Sequence, residues 1–229
     1  MPSVAFISDV HSNLEALEAV LASLGKEELY CLGDVVGYGA NPNEVVGLLR
    51  ERGAQVVMGN HDYAAATGDA GSFNPRAAMA AKWTSRQLTE ANLDYLRRLP
   101  KERNLEFGGV KFCVVHGSPD DPLWEYVDPA THSQLFGHYL RKLGVMGLAL
   151  GHTHIPYSWK GTEGEVFNPG SVGQPRDGDW RASFAVGDFE GGAIELEHRR
   201  VEYDVEGAAE KIIRAGLPEP LAARLRTGR

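Results

Sequence analysis

The sequence predicts an α/β fold on three observations. Strand-like apolar runs alternate with helical patterns from residue 4 onward. Five of those runs end abruptly in short polar clusters. A chain of 229 residues is long enough to bury one large core. Strand and helix alternating at this rhythm imply a largely parallel sheet with right-handed crossovers. No long linker rich in proline, serine or charge divides the chain, so it reads as a single domain over residues 1–229, with helical segments from about residue 204 packing onto it.

The elements follow in order. Residues 4–8 form an apolar run that opens onto Asp9-Val10-His11. Ser12 is placed to cap a helix on which Leu14, Leu17, Val20, Leu21 and Leu24 recur at helical spacing, before Gly25. A second run, residues 29–32, opens onto Gly33-Asp34 and a loop in which Gly37 and Gly39 flank Tyr38. Asn41 and Pro42 then start a helix with Val45, Val46, Leu48 and Leu49 on one face. Residues 54–58 form a third run, delivering Gly59-Asn60-His61-Asp62 at its end.

From Asn74-Pro75 an alanine-rich helix runs to Leu88, and Thr89 caps another reaching about Leu99. Gly108-Gly109 joins two strands, the second (residues 111–115) ending at His116-Gly117. A long loop over residues 117–128 precedes a helix starting at Asp128-Pro129, and residues 146–150 form the last run feeding a cluster, Gly151-His152-Thr153-His154. The remainder reads as antiparallel: residues 157–160, 166–167, 183–188 and 194–203, with Gly191-Gly192 as a turn. Helical segments near 205–215 and 218–226 close the chain.

A formal charge of −8 with the two signs interspersed argues against binding duplex nucleic acid or an anionic membrane, and leaves a small nucleotide open. Cys31 and Cys113 lie inside apolar runs with no pairing or ligand spacing, as buried free thiols do. With neither a signal-peptide pattern nor a span long enough for a bilayer, the expectation is a cytoplasmic protein. Its oligomeric state is not legible.

Five of the eight histidines fall in the strand-end clusters, where open α/β sheets hold their ligands. Asp9, His11, Asp34, Asn60, His116, His152 and His154 together offer oxygen and nitrogen donors without a thiolate, which suits borderline first-row dications. Seven donors exceed the needs of one tetrahedral ion. They suit two ions sharing a carboxylate, a pair about 3.5–4 Å apart that clamps the attacking and leaving oxygens of a phosphoryl transfer. Only two of the donors are anionic, so two bound dications leave the site net positive for a phosphate.

In this order, Asp9-Val10-His11, Gly33-Asp34, Gly59-Asn60-His61-Asp62, His116-Gly117 and Gly151-His152-Thr153-His154 resemble the calcineurin-like metallophosphoesterases over about the first 175 residues. Resemblance to the small prokaryotic members implies a four-layer α/β/β/α sandwich with a dinuclear site at the strand ends. It assigns Asp9, His11 and His154 to one metal and Asn60, His116 and His152 to the other, with Asp34 as the bridge. His61 becomes the catalytic histidine, protonating the leaving oxygen or steadying the transition state. The implied cofactors are two divalent ions (manganese, iron, nickel, cobalt or zinc). The implied activity is hydrolysis of small phosphodiesters or phosphomonoesters, nucleotide-like, by in-line attack of a hydroxide shared by the metals.

The sequence departs from the protein-phosphatase branch of that family, where Asp-Arg-Gly supplies a carboxylate for the catalytic histidine and an arginine for phosphate. Here Gly37-Tyr38-Gly39 stands instead. Asp62 is the nearest substitute carboxylate, and Arg176, at the end of the run from Asn168, the candidate cation. Tyr38 joins Arg176 as a substrate-binding candidate. Tyr38, Asn74, Trp124 and Tyr126 divide between bracketing a base and packing in the core, with packing the default for large aromatics. His132, His138 and His198 have no acidic companion at ligand spacing and read as surface or packed residues. Two other functions compete. A dinucleoside polyphosphate hydrolase needs cations for its extra phosphates, for which Arg76 and Arg176 are the loop arginines available. A non-catalytic binding scaffold of the same fold is disfavoured by the intact donor set.

Overall fold

The computed structural model describes residues 3–190 and 193–229. Two five-stranded sheets face one another. The first contains β1 (Ser3–Ile7), β2 (Glu28–Cys31), β3 (Gln55–Val56), β9 (Ala182–Glu190) and β10 (Ala193–Val201), ordered β10-β9-β1-β2-β3. The second contains β4 (Glu102–Phe107), β5 (Val110–Val115), β6 (Gly147–Ala149), β7 (Tyr157–Gly161) and β8 (Gly164–Asn168), ordered β4-β5-β6-β8-β7. In the first sheet β1, β2 and β3 are parallel and β9 and β10 join antiparallel; in the second β5, β6 and β8 are parallel and the edge strands β4 and β7 are antiparallel. The single, largely parallel sheet expected from the early βαβ rhythm is therefore two mixed sheets. The sandwich implied by the resemblance is what forms.

Side-chain alternation along the strands explains the layering. In β1, Val4 and Phe6 point into an aromatic core between the sheets with Phe112, Phe167 and Phe189, while Ala5 and Ile7 point outward beneath helices. Those helices are α1 (Leu14–Ser23), α2 (Pro42–Glu51), α4 (Pro75–Gln87), α5 (Glu90–Arg97), α7 (Val205–Arg214) and α8 (Glu219–Leu225). On the other side, α6 (Pro129–Leu143) covers Cys113, Val115, Leu148 and Leu150 of the second sheet with Phe136, Tyr139 and Leu140. Both cysteines are buried and free.

Local chemistry sets the boundaries. Asn13, not Ser12, caps α1, its side chain accepting the Ala16 N–H at 3.1 Å. Asn74, Thr89, Asp128 and Asp204 cap α4, α5, α6 and α7 in the same way. The third apolar run yields only the two residues of β3, because at Asn60 the chain turns directly into α3 (Asn60–Thr67), a helix the sequence did not announce. Gly191-Gly192 lies outside the described residues. Among them, no helix is long and apolar enough to cross a membrane.

Candidate metal centre

The carboxyl ends of β1, β2, β3, β5 and β6 meet at one place, and the loop after β8 ties them together. Val172 and Gly173 donate backbone N–H groups to Ser8 O and Asp9 O, both at 2.9 Å. The Ser171 hydroxyl donates to Asp9 O at 2.7 Å, and Asn168 Nδ2 donates to Gly151 O at 2.6 Å. The contacts to Ser8 and Asp9 hold chain segments more than 160 residues apart in sequence against each other, and the one to Gly151 spans 17 residues. They also sustain unusual backbone. Seven described non-glycine residues have positive φ, and five of them, Asp9, His11, Asp34, His152 and His154, are the candidate donors (φ 49 to 68). Strain of this kind persists where surrounding contacts over-determine it, and it gathers at functional sites.

All seven candidate donors are buried here. Among the described residues, three groups of donor atoms are close enough to surround an ion: Asp9, His11 and His154; Asp34, His116 and His152; and His11, Asp34 and His61. Asp34 joins the first two. Its Oδ2 lies 3.6 Å from His11 Nε2 and 3.4 Å from His116 Nε2, while its Oδ1 is held by the His61 backbone N–H at 2.8 Å. Asp9 Oδ2 accepts from the Ser8 hydroxyl at 2.6 Å and from the His152 N–H at 3.1 Å. Its Oδ1 has no hydrogen-bond partner and faces His154 Nε2 at 3.2 Å. Asn60 Oδ1 lies 3.3 Å from His116 Nε2.

Outer contacts set the tautomers. Carbonyl oxygens only accept, so His11 Nδ1–H donates to Val36 O (3.2 Å), His154 Nδ1–H to Gln174 O (2.6 Å), His116 Nδ1–H to Leu32 O (2.7 Å) and His152 Nε2–H to Trp124 O (3.2 Å). The remaining nitrogens face each other: His11 Nε2 and His154 Nε2, both lone pairs, at 3.1 Å, and His116 Nε2 and His152 Nδ1 at 3.1 Å, where the raised His116 supplies the shared proton. Two bare nitrogens at that distance repel unless a cation sits between or beside them. With the orphaned Asp9 Oδ1, this donor set fits divalent metal, and imidazoles oriented by backbone carbonyls are how proteins present metal ligands.

The charge balance agrees. Burial opposes ionisation of Asp9 and Asp34, yet the imidazoles facing them hold both carboxyls well below the usual range. Burial depresses His11 and His154, and takes His61 down to about 4 and His152 to about 3. His116 alone rises, to about 9, because Asp34 and Asp9 outweigh its burial. The cluster draws a positive charge to its middle.

A stability prediction follows for chelator-stripped protein. His11, His61, His152 and His154 resist protonation in the fold, so stability is lost as pH falls below 6.5 and through their depressed values. Asp62, pushed up to about 7 by burial and by Asp34, works in the opposite sense, holding a proton that the unfolded chain has released above 3.8. The raised His116 loses its contribution only as pH climbs through about 9. Four groups outweigh one between pH 4 and 6.5. The Tm measured by calorimetry therefore falls on acidification across that window, and a rise would contradict the assignment.

His61 is packed rather than tethered. Its ring lies against Phe73 (centroids 4.4 Å), Tyr38 (4.3 Å) and His11 (4.9 Å), and its Nδ1 is buried without a partner. A Cβ on Gly37, whose φ is +94, would collide with that nitrogen, so the imidazole occupies the space where a carboxylate-bearing residue would stand. Asp62 is not the substitute. Its two oxygens accept the Val36 and Gly59 N–H groups (3.1 and 3.0 Å), tying the loop after Asp34 to the start of α3.

A cavity of about 280 Å³ opens over Asp34, Asn60, His61, His152 and His154, and Tyr38, Arg176, Phe73, Trp124 and Tyr126 also line it. Tyr38 is 7% exposed and divides its ring between packing and this wall. Tyr126 departs from the packing expectation: it is 55% exposed and lies over the His152 ring, centroids 3.8 Å apart. Asn74 caps α4 and borders the cavity. His132 stays on the surface at the start of α6, and Asp120 pairs with Lys142 in an exposed ion pair. Phe73 and Gln174 carried no signal in the sequence, because neither belongs to a motif or a periodic run.

A model of the calcineurin-like phosphoesterase superfamily domain matches residues 3–192. The chain belongs to this superfamily. An uncharacterized protein of Methanocaldococcus jannaschii is 41% identical over 99% of this chain and 98% of its own length. A metallophosphoesterase structure from Sphaerobacter thermophilus is 37% identical with a TM-score of 0.84, covering 100% of this chain and 99% of the other. A hypothetical protein from Pyrococcus horikoshii, 25% identical over the same shares, superposes with a TM-score of 0.91. Membership makes this calcineurin-like chain a phosphoester hydrolase by family, with clustered His and Asp groups able to hold metal.

Proposed function

We propose that the protein is a cytoplasmic, dinuclear-metal-dependent phosphoesterase acting on small phosphodiesters or phosphomonoesters. The observation that carries this is Asp34, whose Oδ2 stands between His11 and His116 and so between two groups of donors. Asp9, His11 and His154 would hold one ion, and Asn60, His116 and His152 the other. Bound there, divalent metal supplies Lewis-acid polarisation of the phosphoryl oxygens and an activated water.

The chain's own residues do the rest. Asp34 would offset the repulsion between two dications, and backbone carbonyls orient the imidazoles before substrate arrives. His61 faces the same cavity from beside Asp34 and His11. With its pKa depressed to about 4 by burial, it is a neutral imidazole at pH 7 and donates an N–H to the transferring phosphoryl group. Arg176 adds a cation at the wall. Trp124, Tyr126 and Phe73 suit an aryl or nucleobase group on the ester.

Stripped protein reconstituted with manganese, zinc, cobalt, nickel or iron and assayed on bis-p-nitrophenyl phosphate and p-nitrophenyl phosphate tests this reading. Nitrogen-rich donor sets bind late first-row ions more tightly than manganese, so activities are expected to rank differently from affinities. Turnover with magnesium alone would show that the histidines are not the ligands.

A further inference from the structure

Beyond Tyr38 and Asn74, which border both, a second cavity of about 370 Å³ adjoins the first and is lined by Arg76, Leu221 and Arg224. Arg224 belongs to α8, outside the residues that match the family. It arrives because Leu221, Ala222 and Leu225 of the same helix are buried in the core beneath it. Arg176 lines the first cavity, its guanidinium carbon 6.0 Å from the ring centroid of Tyr38, which borders both.

These three arginines lack counter-ions. Among the described residues none of them forms an ion pair, although the chain carries a net charge of −8. A neutral amide holds two of them: the Gln174 side-chain oxygen accepts from Arg176 Nη2 at 3.1 Å and from Arg224 Nη1 at 3.2 Å. Gln174 is 1% exposed, and its backbone carbonyl orients His154. The Nε atoms of Arg176 and Arg224 are buried with no partner. A carboxylate at position 174 would have neutralised the pair; the amide positions it and leaves the charge available. Converging, unpaired, partly desolvated guanidiniums are the arrangement that proteins use for phosphate.

We propose that Arg76, Arg176 and Arg224 form an anion subsite that takes a second phosphate of the substrate, while the first lies at the His/Asp cluster. The substrate class is then a phosphoester carrying at least two phosphoryl groups, such as a dinucleoside polyphosphate. The proposal rests on the phosphoesterase reading, and its test separates the two.

Wild type, Arg224→Gln, Arg224→Lys and Arg76→Gln are compared on a dinucleoside polyphosphate and on bis-p-nitrophenyl phosphate. The wild type is expected to prefer the polyphosphate in kcat/KM. Each glutamine variant should reduce that preference about tenfold through KM, the size expected for one lost charge-assisted hydrogen bond, and the lysine variant should restore part of it. Arg76 is exposed at the start of α4, so its variant reports even if an Arg224 variant misfolds. An unchanged preference in Arg76→Gln and Arg224→Gln would overturn the subsite, as would inhibition by inorganic phosphate with no preference for the polyphosphate, which would mark a site for free phosphate. Binding of inorganic pyrophosphate, followed by calorimetry, is the second readout. If no substrate is turned over, the phosphoesterase reading fails, yet pyrophosphate binding that weakens about tenfold in Arg224→Gln supports the subsite. Equal binding by both proteins overturns it.

Discussion

Asp34→Asn is expected to abolish turnover and to lower the occupancy of both metals, whereas Asp9→Asn weakens mainly one. The substitution is close to isosteric, and the amide oxygen can still accept the His61 backbone N–H that Oδ1 holds at 2.8 Å. The fold should therefore survive. What changes is the atom facing His11 and His116 at 3.6 and 3.4 Å. There a shared negative charge gives way to neutral dipole, and two dications a few ångströms apart lose the charge that screens their repulsion. The loss should exceed the ~10²–10³-fold typical of removing one electrostatic contact in an active site. Elemental analysis of the purified variant checks the claim, and a fully occupied pair in Asp34→Asn would remove Asp34 from the bridge.

His61→Ala is expected to keep both metals and to lose rate by ~10²–10³-fold, the cost of one hydrogen-bond donor aimed at developing charge. Two roles were open for this residue, proton donor to the leaving oxygen or stabiliser of the transferring group. The second is favoured by its burial, which depresses the pKa to about 4, and by the absence of a carboxylate at its Nδ1. A neutral donor acts on the phosphoryl group, so the loss should be similar for a nitrophenolate and for the basic alkoxide of a nucleoside 5′-phosphate. A much larger loss with the alkoxide would instead show proton transfer from His61. Because His61 also lies within ligand reach of His11 and Asp34, a fall in metal content would bring it into the first coordination sphere.

The donors were legible in the sequence because each follows an apolar run directly, and strand ends converge whatever the detail of the sheet. Asp9, Asp34, His116 and His152 needed only that logic. The sheets themselves were less legible. The early strand–helix rhythm reports local order, but β9 and β10, from the far end of the chain, complete the first sheet through pairing such as Ala5 with Val186. Helix α3 escaped notice because Asn60-His61-Asp62-Tyr63 has no apolar periodicity. It forms where the Asp62 side chain accepts the Gly59 N–H at 3.0 Å, with Ala64 and Ala65 beneath. Arg224 was invisible for a related reason: its place beside Arg176 depends on how α8 packs, and no local pattern encodes that. Asp62 looked like a partner for His61 only because it is adjacent in sequence, and in the structure it serves the backbone.

The central claim is that two ions act together across Asp34. Titrating manganese into chelator-stripped protein while following both bound metal and hydrolysis of bis-p-nitrophenyl phosphate tests it most directly. The account predicts little turnover at one equivalent, a rise with the second and a plateau at two ions per chain; full activity at a single equivalent, or two ions bound with no turnover, would contradict it.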